Sequence, residues 1–584
     1  MLAGWKSATG PATCRSWDRA ARSELQAALL AARVLIAHNA RFELAWLERE
    51  GLPWRHLLVF DTMLAERVRA GNRPWPLDLG SVCGRYGLAT KEPLIDALMR
   101  GGVCPSEMPE HLLRARALRD VETTAELARL QMAALDADGQ LEVAYTRCVL
   151  VPVLVEIERE GMTLDGERVR EEYARVAREL GDTERALGEL AGGVNLRSPA
   201  QLAEFLYEKL GFAEIKTPSG KPKRNAPSKR FPDGAPKTDQ KTLALLRART
   251  KAQREFLELR KRYGKLNARM TKCLRFYKGV VDEYGGTFRA QFHQTRVATH
   301  RLSSTARPLY LTQFQEELGA QLQNQPREYK RLFASPDPDY VVVEADGAQL
   351  EFRVAAFQGQ DEVACRSIVR GEDVHRYSAS VLLAKPESEI TDAERTAAKP
   401  ETFKPLYGGE YGTDAQMAYY KAFNEKYAAI YRTQMGWVHE AVRDKVLRTP
   451  WGMRFYFPNA RIDDRGRCAD KPNIFNYPVQ CLATAEIIPV SLTYLYWRCS
   501  LYGIRAKFVN TVHDSVVALV HKDDLERFKE QAKLAFLDDT YGYLEVVYKM
   551  EMNVPLGLGI KAGSHWGEGK EEKFSKPYET VLAD

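Results

Sequence analysis

The 584-residue sequence contains no Cys-x-x-Cys pair, and its nine cysteines are scattered. That argues against a zinc site or a disulfide framework and favours a reducing compartment, here expected to be the cytoplasm. No stretch approaches about 18 uninterrupted apolar residues, so no membrane span is expected. The N-terminus carries arginines but also Asp18 and Glu24, and it lacks the continuous apolar core of a secretory leader. A large excess of one charge is missing too: 85 Lys and Arg nearly offset 78 Asp and Glu, leaving +7. The balance does not by itself identify a nucleic-acid partner; local clustering would have to. What is present is ordinary for a globular protein, and the chain is long enough for several domains.

The organising stretch is Val341 to Phe357, VVVEADGAQLEFRVAAF. A β-branched run ends at Asp346, and apolar residues at helical spacing follow, which predicts a buried strand, a turn and a helix. A second strand is read over Lys507 to Val520, carrying Asp514 within NTVHDSVVALV. Carboxylates on adjacent strands can hold two divalent cations about 3.5–4 Å apart, the arrangement that serves in-line phosphoryl displacement. Between the two strands lies RTAAKPETFKPLYGG, in which Arg395, Lys399, Phe403 and Tyr407 recur at intervals of four. That spacing predicts one helix face with two cations for a triphosphate and two aromatics for a base and sugar. An amphipathic surface helix would explain the aromatics but not the cations in line with them. Pro400 and Pro405 predict a kink or an early start.

Elsewhere the pattern is less specific. Residues 1–135 alternate short apolar runs with helical stretches. Among them are Val34–Ala37 followed by HNARFELAWLEREG, then FDTMLAERVRAG, then RARALRDVETTAEL. Residues from about 141 to 190 read as helical. A Pro-, Gly- and Lys/Arg-rich loop, 216–241, leads into a basic helical stretch from Lys241 to Tyr277 with Arg254 and Lys261. A flexible basic tip there suits phosphate contact without sequence readout.

In this order, the motifs resemble the family A (Pol I-like) DNA polymerases over about nine-tenths of the chain, most densely from Phe288 onward. DGAQLE matches the family's Asp-Tyr-Ser-Gln-Ile-Glu, and RTAAKPETFKPLYGG matches Arg-x3-Lys-x3-Phe/Tyr-Gly-x2-Tyr-Gly except for Lys404. The VHDS run matches a His-Asp pair, with Ser515 where the family more often has Glu.

The resemblance implies a multidomain α/β and α+β fold. A right-hand polymerase, with an antiparallel palm sheet and helical fingers and thumb, would follow an RNase H-like exonuclease-type domain. The boundaries expected are 1–135 for that domain, 136–287 for the thumb and connecting helices, 288–358 and 479–584 for the palm, and 359–478 for the fingers. Asp346, the Gly347 carbonyl and Asp514 would hold two Mg²⁺, with Mn²⁺ as a substitute. Lys399 would act as general acid. Arg395, His375, Gln349, Phe403, Tyr407 and the ribose-excluding Glu351 would handle the incoming dNTP. Arg301, Asn476, Gln480 and His513 would contact primer-template DNA, as would Arg254 and Lys261. The protein would act as a monomer, with a processivity factor or replisome proteins as further partners.

In the N-terminal part, the resemblance places the second and third exonuclease acids at Glu43 and Asp120. Arg116 stands where the family has tyrosine, and the first acidic motif is absent. A truncated, non-editing domain of phage or prophage type is expected. Two rival readings are a single-subunit RNA polymerase, against which Glu351 and Phe403 argue, and an inactive DNA-binding protein. The second would have lost an acid or the lysine, yet Asp346, Asp514 and Lys399 are all present.

Overall fold

The computed structural model describes residues 1–88, 93–196, 198–216, 220–227, 232–306 and 321–577. It divides into two compact units, Met1–Met162 with Arg289–Thr305 and Ala334–Asp584, and Thr163–Phe288 with Ala306–Phe333.

The first unit is built around a five-stranded antiparallel sheet. Its order is Ala506–Val512, Ser515–His521, Tyr340–Gly347, Gly557–Gly563 and Glu572–Ser575. Val516 to Val520 are buried without alternation, as expected for a strand covered on both faces. The single strand read over Lys507 to Val520 is therefore a hairpin. The chain reverses at His513 and Asp514, with His513 at φ +59°. A His-Asp turn between two apolar runs carries none of the Gly or Asn-Gly signals by which hairpins are recognised. Helix Lys471–Cys481 runs through a wholly buried π segment, Leu482–Ile487, into helix Ile488–Leu501.

Residues 1–162 contribute an antiparallel pair, Leu2–Trp5 with Thr13–Ser16, and a parallel pair, Val34–Ala37 with Leu58–Asp61. Asp61 caps helix Thr62–Ala70 by accepting from the Met63 and Leu64 N–H groups. Helices Leu141–Val149 and Val151–Glu160 were grouped with the following region by sequence. They place Cys148, Val151 and Val155 in one core with Leu25, Leu44 and Trp54. Arg147 on the first of these helices is buried against Glu486, with guanidinium–carboxylate distances of 2.6 and 2.8 Å, and Tyr548 donates to the same carboxylate at 2.6 Å.

In the second unit, helix Gly166–Ala191 packs against helix Lys251–Arg269 around Leu187, Leu206 and Phe256. The helical stretch expected from Lys241 starts later. A short helix ends at Leu243, and a Thr250–Gln253 capping box opens the long one. The basic loop 216–241, expected to be a flexible tip, is tied back on itself where it is described. Lys223 N–H donates to Ile215 and Asn225 N–H donates to Ala235, at 2.7 and 2.8 Å. Residues 217–219 and 228–231 of that loop lie outside the described residues, as do residues 307–310 of the ATHRLSSTARPLY run.

Candidate active site

Asp346, next to last in the central strand, lies opposite Ser515, so the neighbouring Asp514 sits at the adjacent hairpin tip. Gly347 N–H donates to the Asp514 carbonyl at 2.9 Å. The two carboxyl groups are within hydrogen-bonding reach of each other. Burial raises the Asp514 pKa, nearby Glu344 adds to the rise, and Arg301 and Asp346 oppose it. Gly347 replaces an aromatic of the resembled motif. A Cβ there would meet the Asp514 carbonyl oxygen at 3.5 Å and the Ile488 and Leu350 side chains at 3.6 and 3.7 Å, ordinary van der Waals contact.

Glu351 lies one helical turn on, in helix Leu350–Gly359, whose N-cap Gln349 adopts a left-handed conformation at φ +50°. Burial raises the Glu351 pKa, against the pull of Arg301 and a hydrogen bond from Gln480. The Tyr407 hydroxyl donates to Glu351 Oε2. Gln480 also accepts from the Thr299 hydroxyl at 2.7 Å. Asn476 lies one turn before Gln480 on the same helix, half-buried, and His513 is exposed at the hairpin tip.

A second cluster surrounds His375. Its Nδ1 is 3.0 Å from the Thr402 hydroxyl, and its ring lies 5.5 Å from that of Phe403, centroid to centroid. Burial lowers the His375 pKa, and Lys399 and Arg395 lower it further. Arg395 pairs with Asp373, a residue the sequence reading did not single out. Burial alone would raise the Asp373 carboxyl; hydrogen bonds from Arg395 and from the Arg376 and His375 N–H groups bring it below its ordinary value. The signal was there in EDVH: an Asp two residues before the histidine, at the start of helix Val374–Leu383. Phe352 joins the clusters, its ring 6.1 Å from Phe403.

The predicted single helix face is corrected. Helix Asp392–Thr402 carries Arg395 and Lys399, Phe403 is its C-cap, and Tyr407 ends a separate 3₁₀ turn, Pro405–Tyr407. Pro400 has no N–H for the Thr396 carbonyl, and the helix stops two residues later. Gly409 N–H then closes onto the Lys404 carbonyl at 2.8 Å.

Arg254 and Lys261 are exposed on helix Lys251–Arg269. Glu43 is half-buried on helix Arg41–Arg49, with its Oε2 buried and unpartnered among the described residues. Burial, with Asp61 nearby, raises its pKa to about 7. Asp120 pairs at 3.7 Å with Arg116 one turn earlier. Among the described residues no three His, Cys, Asp or Glu side chains converge as an ion cage, and no helix is long and apolar enough to cross a membrane.

The chain is 25% identical to DNA polymerase I of Chloroflexus aurantiacus over 91% of its own length and 54% of that protein's. It is 27% identical to the thermostable DNA polymerase I of Thermus aquaticus over 90% of its length and 63% of that protein's. It thus spans little more than half the length of these relatives. In three dimensions it resembles the POL domain of Pol1 from M. smegmatis, solved with DNA primer-template and dNTP. The TM-score is 0.74 and the identity 20%, over 96% of this chain and 91% of that one. The profile of DNA polymerase family A matches residues 166–568. The chain belongs to DNA polymerase family A.

Proposed function

We propose that the protein is a template-directed DNA polymerase that joins dNTPs to a primer 3′-OH. The observation that carries this reading is the adjacency of the Asp346 and Asp514 carboxyl groups at the end of the central strands. Two like charges in a half-buried place are unfavourable unless a cation is shared. Two carboxylates without a third acid also fit Mg²⁺, which retains waters and takes its remaining ligands from substrate phosphates. Asp346, Asp514 and the Gly347 carbonyl would hold such ions, with Mn²⁺ as a substitute. When bound, they would lower the pKa of the primer hydroxyl and neutralise charge on the phosphates.

The chain's own groups do the rest. Arg395 and Lys399 bind the triphosphate, and as the new 3′-O–P bond forms and the α-phosphate's bond to pyrophosphate breaks, Lys399 Nζ protonates the leaving oxygen. Phe403, His375 and Gln349 hold the nucleotide. Glu351, fixed by Tyr407, leaves no room for a ribose 2′-OH. Arg301, Asn476, Gln480 and His513 bear on the primer terminus, and Arg254 and Lys261 on duplex phosphates.

Editing is absent or impaired in this reading. Burial holds the Glu43 pKa up at about 7, so the acid is only partly ionised at neutral pH, and Asp120 is engaged by Arg116.

The test is primer extension. Asp346→Asn and Asp514→Asn should each lose extension by at least about a thousandfold while retaining primer-template binding. Normal extension by either variant defeats the metal assignment. Predominant rNTP use by the wild type would favour an RNA polymerase-like enzyme, and absence of extension with retained binding an inactive DNA-binding protein.

A further inference from the structure

The segment that carries Arg301 is fastened repeatedly to residues 1–162, by hydrogen bonds that each join a side chain to a backbone group. Phe292 N–H donates to Glu158 Oε1 at 2.7 Å, and the Glu158 carboxylate is itself paired with Arg41, which caps the Phe292 carbonyl. Gln294 Nε2 donates to the Arg147 carbonyl at 2.8 Å. The buried Arg67 gives Nη2 to the Val297 carbonyl at 2.7 Å and Nη1 to the Arg73 carbonyl at 3.3 Å. His300 is 2% exposed, and its Nε2 lies 3.0 Å from the Gly71 carbonyl.

That carbonyl only accepts, so His300 Nε2 carries the proton. The ring is neutral, because burial drives its pKa well down and Arg67 and Arg147 push the same way. The backbone at His300 is left-handed, φ +63°, a conformation that a non-glycine residue holds only when its surroundings enforce it. Gly71, which receives this bond, is closely packed. Its φ is +62°, and a Cβ on it would lie 2.3 Å from the Arg454 carbonyl oxygen.

The next residue is Arg301, whose guanidinium acts on both Asp514 and Glu351. Its Nε is buried and unpartnered among the described residues. With no partner at Nε, the course of that side chain depends on the backbone from which it departs as well as on the two carboxylates.

We propose that Arg67 and His300 are positioning residues for Arg301, so that residues 1–162 act as a scaffold for the polymerase site rather than as an appended nuclease. The inference rests on the polymerase reading above. His300 fixes the left-handed turn, Arg67 fixes the loop that precedes it, and neither touches substrate.

A double-mutant cycle in single-turnover primer extension tests this. His300→Ala should lower incorporation at a matched primer end about tenfold, the loss of one buried hydrogen bond. His300→Gln, whose amide supplies a donor to Gly71, should recover most of it. In an Arg301→Ala background, His300→Ala should change the rate by less than about twofold, because the residue being positioned is gone. If His300→Ala fails to fold, Arg67→Met in the same cycle carries the test. Equal losses with and without Arg301, in variants whose melting temperatures match their parents, overturn the proposal. Failure of the wild type to extend a primer would instead remove the polymerase reading itself.

Discussion

Tyr407 and Glu351 are 56 residues apart, yet the phenol donates directly to the carboxylate. A buried carboxylate held by one hydroxyl and one amide has a single defined position, which is what a steric filter for a ribose hydroxyl needs. Glu351→Ala should therefore raise rNTP relative to dNTP incorporation by about a hundredfold or more. Tyr407→Phe, which leaves the carboxylate in place but unanchored, should raise it by about tenfold, measured as ratios of kcat/KM. His293 allows a separate forecast. Burial, with Arg296 and Arg41 nearby, holds its pKa at about 4, below the ordinary 6.5. The native state then binds fewer protons than the unfolded chain. This part of the stability is complete above about pH 6.5 and disappears as the pH falls toward about 4. His293→Gln should flatten the fall in denaturation midpoint over that window; an unchanged slope would show that other groups carry it.

Among elements, the helix Asp392–Thr402 shows where the sequence was legible and where it was not. The interval of four placed Arg395 and Lys399 on one helix, and the prolines announced an interruption. The division into a helix, a cap at Phe403 and a 3₁₀ turn depends on Gly409 closing against Lys404, which periodicity does not reveal. The central strand was equally clear from its β-branched run. The hairpin at His513 and Asp514 was not, because a His-Asp turn carries none of the Gly or Asn signals by which a turn is read. Partners distant in sequence were invisible as well: Asp373 and Arg395 meet only because two helices pack. Pro400→Ala restores an N–H for the Thr396 carbonyl and should stabilise the protein by about 1 kcal/mol in denaturant titration. It should also raise the KM for dNTP several-fold, since a continued helix rotates Phe403 away from His375. A stable variant with unchanged KM would show that the interruption has no part in nucleotide binding.

At the scale of the whole molecule, the Arg147–Glu486 pair ties helix Leu141–Val149 to the buried π segment beneath the sheet. Breaking one side of such a pair leaves a charge or a set of donors stranded away from water. Arg147→Met should therefore cost about 3–5 kcal/mol by chemical denaturation. A loss below about 1 kcal/mol would mean that water enters to replace the missing partner. The close approach of Gly71 to the Arg454 carbonyl has a practical corollary for anyone wishing to trim this protein. A shortened version beginning at residue 163 would discard the complementary half of a tightly fitted seam and bare the apolar surface beneath it. Its expected fate on expression is insolubility, and a smaller version would require that seam to be redesigned.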